Sequence, residues 1–123
     1  MKVLIVDDNR DIADMLSKYL SLNNFDCSVS YNGRNGLSMI ENQKFDVVLL
    51  DLAMPEFSGT DIINALARKN KIKDQTIIVL TASSKSEQEI DELIGKGIHS
   101  CLKKPIDPDY LVDYLKNLYS QSG

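Results

Sequence analysis

Three aspartates stand at the ends of two apolar runs. Asp7 and Asp8 directly follow Lys2-Val3-Leu4-Ile5-Val6, and Asp51 directly follows Phe45-Asp46-Val47-Val48-Leu49-Leu50. Runs of this composition read as buried strands. If the two are parallel neighbours, all three carboxylates reach one end of a sheet, where open α/β folds bind ligands. Clustered acids suit a hard divalent cation, which takes oxygen ligands in octahedral geometry and keeps waters and phosphate oxygens in its shell. Asp8 and Asp51 are placed to ligate directly, with Asp7 orienting a bound water. Thr81 and Lys104 follow two further runs, and a hydroxyl and an ammonium opposite the acids match the remaining oxygens of a phosphoryl group. Alone, each has an ordinary use, as a helix cap or a solvated side chain. Together they point to a carboxylate that accepts phosphate. Asp51 is the candidate nucleophile because it stands on the central strand with the metal acids to one side. Such a transfer asks mainly for in-line positioning and charge neutralisation.

For the aspartates to meet, the chain must alternate strands with helices, and its apolar pattern does so. Runs at 2–6, 26–30, 47–50, 76–80 and 100–103 predict five strands. The first, third and fourth are almost wholly Val, Ile and Leu, as in strands covered on both faces. The second is more polar and suits a sheet edge. Between them, Ile12, Met15, Leu16, Tyr19 and Leu20 recur at helical spacing, as do Leu37 with Ile40, and Ile62 with Ile63 and Leu66. Ile90, Leu93 and Ile94 form another stripe, ended by Gly95-Lys96-Gly97. Asp107-Pro108 opens the last helix as cap and first-turn proline, with Leu111, Leu115 and Leu118 on its buried side. Right-handed crossovers then predict an α/β, flavodoxin-like (βα)5 three-layer sandwich, its five-stranded parallel sheet in the order 2-1-3-4-5. One domain is expected over 1–120, with 121–123 a frayed tail.

Composition narrows the function classes. The chain has 123 residues, 43% apolar and 26% charged, which fits a globular domain. A net charge of −4, with no dense basic face, argues against direct nucleic-acid binding. Arg68, Lys69, Lys71 and Lys73 read as the solvated end of a helix, where cations complement the dipole. No apolar stretch reaches membrane-spanning length, and the N-terminus enters a strand rather than a signal peptide. A cytoplasmic protein without membrane insertion is expected. Cys27 and Cys101 lack metal spacing and read as buried strand thiols, and the single His99 has no partners for a zinc site.

Asp7-Asp8, Asp51-Leu52-Ala53-Met54-Pro55 with Gly59, Thr81-Ala82 thirty positions after Asp51, and Lys104-Pro105 together resemble the receiver domains of two-component response regulators. The similarity is to the CheY-like form and spans essentially the whole chain. It implies that Asp51 is the phosphorylated residue, and that Mg²⁺ or Mn²⁺ is held by Asp7, Asp8, Asp51 and the backbone carbonyl of Ala53. It implies that Thr81 moves toward the phosphoryl group, that Lys104 pairs with it, and that the Lys104-Pro105 peptide is cis. The implied donor is a phosphohistidine on a sensor histidine kinase or histidine phosphotransfer protein. The implied output is a downstream protein target, met through the last two helices and the fifth strand by a monomer or weak dimer. Such a domain assists its own phosphorylation and dephosphorylation and is not an enzyme acting on a separate substrate.

The chain departs from that pattern at Cys101, where the family usually carries Tyr or Phe three positions before the lysine. A thiol cannot fill the space of an aromatic ring, so the usual rotamer coupling cannot operate in its usual form. Ala53 and Ser83 resemble positions that influence hydrolysis of the phosphoryl group, and both are small. Lys103 stands beside Lys104, but strand alternation sends the two to opposite sides. Three rivals remain in view. A degenerate receiver could act only as a docking module. A phosphohydrolase of the haloacid dehalogenase type needs a second acid where this chain has Ala53. Flavin binding needs a phosphate loop where this chain has Asp7-Asp8-Asn9, which repels anions.

Overall fold

A computed structural model describes residues 1–82 and 86–122. Among the described residues, the strands are β1 (Lys2–Val6), β2 (Asp26–Ser30), β3 (Val47–Asp51), β4 (Ile77–Thr81) and β5 (Ser100–Lys103). They alternate with the helices α1 (Arg10–Leu22), α2 (Gly33–Asn42), α3 (Gly59–Arg68), α4 (Glu87–Lys96) and α5 (Pro108–Ser122). Every strand pair is parallel, and the sheet order is β2-β1-β3-β4-β5. This is the expected flavodoxin-like arrangement, with β2 at an edge.

Successive strand residues face opposite sides, and the core divides accordingly. Leu4, Val6, Val48, Leu50, Ile77 and Val79 pack with Ile40 of α2 and with Ile62, Ile63 and Leu66 of α3. Val3, Ile5, Val47, Leu49, Ile78 and Leu80 pack on the other side with Leu16 and Leu20 of α1 and Leu111 and Leu115 of α5. The polar chain around each helix start satisfies otherwise unpaired N–H groups. Asn9 and Asn32 cap α1 and α2, while Ser58 with Asp61 and Ser86 with Glu89 form capping boxes on α3 and α4. The Asp107 carboxylate accepts the Asp109 N–H at 2.9 Å at the start of α5. Gly97, with φ of 116°, ends α4 in the left-handed region. Among the described residues, no helix is long and apolar enough to cross a membrane.

Three sequence expectations shift. β3 runs on through Asp51, and β4 spans Ile77–Thr81 rather than 76–80, because the ladder pairs Asp51 with Leu80 and Thr81 with Lys103. Met15 and Ile94 are each 45% exposed, so the apolar stripes of α1 and α4 are wider than the surfaces they bury. α4 contains no buried residue, and only Leu93 of its stripe packs at the edge of the core. Finally, Cys27 and Cys101 are half-buried rather than buried, and neither is in a disulfide.

One glycine brings α3 up to the carboxyl end of β3. A Cβ on Gly59 would stand 2.3 Å from the Asp51 carbonyl oxygen, and the Gly59 N–H donates to the Leu52 carbonyl at 3.0 Å. The obstacles, the Asp51 carbonyl and the Leu52 Cα at 2.8 Å, are backbone, so neither can rotate aside. Gly59→Ala is expected to lower stability by about 1–3 kcal/mol, the usual cost of overpacking. The check is a lower urea midpoint with an unchanged m-value; an unmoved midpoint would mean that α3 can back away freely.

Candidate functional site

The pairing of Val6 with Leu50 sets Asp7 and Asp51 side by side at the carboxyl ends of β1 and β3, with Asp8 next along the chain. Carboxylate oxygens of Asp7, Asp8 and Asp51 lie within 4.8 Å of one another. Asp7 is fully buried, Asp51 is 5% exposed, and Asp8 is open to solvent. The Asn9 N–H donates to Asp7 Oδ1 at 2.9 Å, and the Ala53 N–H donates to Asp51 Oδ1 at 3.3 Å. The Lys104 ammonium reaches in from the other side, 2.7 Å from Asp7 Oδ2 and 3.6 Å from Asp51 Oδ1. Its backbone N–H donates to the Thr81 carbonyl at 2.8 Å, which ties the end of β4 to the turn after β5. The Lys104-Pro105 peptide is cis.

Electrostatics in this crevice are unfavourable as they stand. Burial pushes the Asp51 carboxyl up from 3.8 to about 6, Lys104 opposes that rise, and the charges of Asp7 and Asp8 add to it. Three carboxylates face one ammonium, leaving an excess of two negative charges. The residues fit a hard divalent cation. All the donors are oxygens, they converge on one point, and an ion there would relieve the repulsion that raises the Asp51 carboxyl.

The sequence-predicted residues converge. Asp7, Asp8, Asp51 and Lys104 meet directly, and Thr81, 7% exposed, ends β4 one step beyond the residue paired with Asp51. Ala53 is exposed on the loop that leaves Asp51, Lys103 is exposed at the end of β5, and Ser83 lies outside the described residues. Cys101 pairs in register with Val79 and packs against the core on the α2, α3 and α4 side. Two residues escaped the sequence reading. Arg10 lies over the Tyr31 ring and Arg34 over the Phe57 ring, both beside the loops that frame the crevice. Only the β1–β2 register, which sets Tyr31 next to the Asp7 loop, could have signalled the first of these.

Residues 3–116 match the response regulator receiver domain family, and the chain belongs to it. Among its relatives, the transcriptional regulatory protein CpxR homolog of Haemophilus influenzae is 32% identical over 124 residues, 99% of this chain and 52% of that protein. The response regulator SaeR of Staphylococcus aureus is 32% identical over 119 residues, 97% of this chain and 50% of its own length. The chain thus spans about half the length of the curated relatives it matches. The receiver domain of the Francisella response regulator 1452 superposes with a TM-score of 0.86 at 28% identity, covering 99% of this chain and 98% of that one. The Vibrio cholerae chemotaxis protein CheY4 gives 0.83 at 29% identity, covering 94% and 96%. This is a CheY-like domain of two-component signalling. Receiver domains bind Mg²⁺ at an acidic pocket, and Asp7, Asp8 and Asp51 form such a pocket here.

The raised Asp51 carboxyl makes stability depend on pH. The folded chain holds this proton more tightly than the unfolded chain, whose carboxyl titrates near 3.8, so cation-free protein loses stability as pH rises through about 6. Above that the loss is complete; below 3.8 it vanishes. Asp51→Asn removes the titration and is expected to gain on the parent across this window by ~3 kcal/mol at most. Urea melts in chelator near pH 4 and near pH 7 check it. An equal difference at both would mean that the Asp51 carboxyl titrates normally.

Proposed function

We propose that this receiver domain is a phosphoacceptor switch. Asp51 takes a phosphoryl group from a phosphohistidine on a sensor histidine kinase or histidine phosphotransfer protein, in a Mg²⁺- or Mn²⁺-dependent reaction, and a protein-contact surface changes. The observation that carries this reading is the convergence of the Asp7, Asp8 and Asp51 oxygens within 4.8 Å, with Lys104 against two of them. Asp7, Asp8, Asp51 and the Ala53 backbone carbonyl would hold the cation, which draws charge from the phosphoryl oxygens when bound. Asp51 supplies the attacking oxygen. Lys104 moves its charge from the carboxylates to the phosphoryl oxygens, and the Thr81 hydroxyl donates to them from β4.

Phosphorylation replaces one carboxylate by a group with more negative charge and more acceptors beside Thr81. The signal leaves through α4, β5 and α5 to a downstream protein, by contact rather than on nucleic acid. With Ala53 in place of a second acid, the domain assists its own phosphorylation and dephosphorylation but turns over no separate substrate. A cytoplasmic monomer or weak dimer suits this role, and two cysteines outside any disulfide suit a reducing compartment. One feature favours a second reading as a docking module: Cys101 is half-buried where similar domains carry an aromatic ring.

The test is intact-mass spectrometry after incubation with acetyl phosphate and Mg²⁺. One phosphoryl adduct is expected, absent from Asp51→Asn. Mg²⁺ alone at about ten times its Kd should add about 1.4 kcal/mol of stability, an effect that Asp51→Asn blunts. If neither acetyl phosphate nor beryllofluoride leaves a mark on the protein, the docking-module reading takes over.

A further inference from the structure

Two arginines in the first turns of α1 and α2, next to the loops that frame the acidic crevice, each lay a guanidinium on an aromatic ring. Arg10 opens α1 two positions after Asp8, and its guanidinium carbon lies 4.2 Å from the centre of the Tyr31 ring. Tyr31 follows Ser30, whose carbonyl accepts the Asp7 N–H at 3.1 Å, so this pair sits on the β2 side of the crevice. The Tyr31 hydroxyl donates to Asp14 Oδ1 at 2.5 Å, which ties the ring to α1 one turn after Arg10. Arg34, in the first turn of α2, lies 4.7 Å from the centre of the Phe57 ring. Phe57 belongs to the loop that leaves Asp51, and α2 meets that loop backbone to backbone. A Cβ on Gly33 would stand 1.9 Å from the Phe57 carbonyl oxygen.

Both arginines are exposed, and among the described residues neither has a carboxylate within ion-pair distance. Stacking engages the face of a guanidinium and leaves its N–H edge available to an anion. The crevice has a use for that edge. Its three carboxylates outweigh Lys104 by two charges, a divalent cation would balance them, and a phosphoryl dianion arriving next restores the excess. Two further positive charges at the rim would offset it.

We propose that Arg10 and Arg34 form an anion-gathering rim that binds the phosphoryl group of the incoming donor, and that they favour donors of higher negative charge. This rests on the phosphoacceptor reading of Asp51. In the transfer, an Asp51 oxygen bonds to phosphorus as the donor's P–O bond breaks and acetate leaves with the electron pair. With phosphoramidate the P–N bond breaks and ammonia leaves from the protonated nitrogen. The arginines are positioning residues and take no part in bond making.

The test compares acetyl phosphate, a dianion near neutral pH, with phosphoramidate, a monoanion, in the parent and in Arg10→Gln/Arg34→Gln. Adduct formation followed by intact mass gives a second-order rate for each donor. The double variant is expected to lose about tenfold with acetyl phosphate and about threefold with phosphoramidate, and to lose much of the parent's salt sensitivity. Arg10→Lys/Arg34→Lys keeps the charge and should retain most of the parent's preference between donors. The rise in melting temperature with Mg²⁺ alone should be no smaller in Arg10→Gln/Arg34→Gln than in the parent, because the aspartates are intact and two positive charges beside them are gone. Equal losses with both donors, or no loss with either, would overturn the proposal while leaving Asp51 as the acceptor. If the double variant does not fold, each single variant should give about half the effect on a logarithmic scale. A parent that takes no adduct from either donor would remove the phosphoacceptor reading, and this inference with it.

Discussion

Val6 pairs with Leu50 in the parallel ladder, and that one rung carries three aspartates to the same place. Burial and like charge oppose the meeting and hold the Asp51 carboxyl at about 6 despite Lys104. The opposing force comes from the strands behind it. Val3, Leu4, Ile5 and Val6 of β1 and Val47, Val48, Leu49 and Leu50 of β3 are each no more than 2% exposed. Each such side chain stabilises by roughly 1.5–3 kcal/mol when buried, against ~3 kcal/mol at most for the raised carboxyl. The sheet therefore wins easily, and the charge cluster persists because the strands cannot separate their ends without giving up the core.

Lys104 is the charged remedy built into the described crevice, alongside the Asn9 and Ala53 N–H groups that donate to Asp7 and Asp51. Its ammonium sits closer to Asp7 than to Asp51, 2.7 Å against 3.6 Å, and Asp7 is the more deeply buried acid. An ion pair in such a setting matters less for the stability it adds than for the destabilisation that follows when one partner is removed. A cation that takes over Asp7 and Asp8 would lower the hold on Lys104, and the ammonium would then be available to whatever oxygen approaches Asp51.

The parts of this arrangement that depend on period and strand-end position were legible in the sequence. Alternation, strand order and the convergence of Asp7, Asp8, Asp51 and Lys104 all follow from apolar runs and the rules for parallel sheets. The exact strand ends were not, because the hydrogen-bond ladder stops where its partners stop: Asp51 and Thr81 read as post-strand residues yet still have Leu80 and Lys103 opposite them. The stripe of α4 misled for a related reason. Ile90, Leu93 and Ile94 recur at helical spacing, but periodicity reports which residues share a face and not whether anything covers it. The stacked arginines were invisible because Arg10 and Tyr31 meet through strand register across a gap of sequence, with no local pattern to announce it.

The same uncovered helix bears on how a change at Asp51 could travel. α4 has no buried residue; among what holds it are its capping box, Leu93 at the core edge, the Lys96–Asn64 hydrogen bond to α3 and the packing of Gly97 on Ile72. Elements with few buried apolar contacts open at low free-energy cost. Thr81 ends the strand that leads toward α4, and its carbonyl holds the Lys104 N–H, so a displacement of the β4 end pulls on the β5 turn through backbone. Cys101 lies between these two routes, on the α4 side of the sheet, and brings far less volume than a ring would. A small side chain there weakens the steric lever between β4 and β5 but leaves the backbone link untouched. Of the two links between β4 and β5, the fold keeps the backbone one, from the Thr81 carbonyl to the Lys104 N–H, beside a weakly anchored α4.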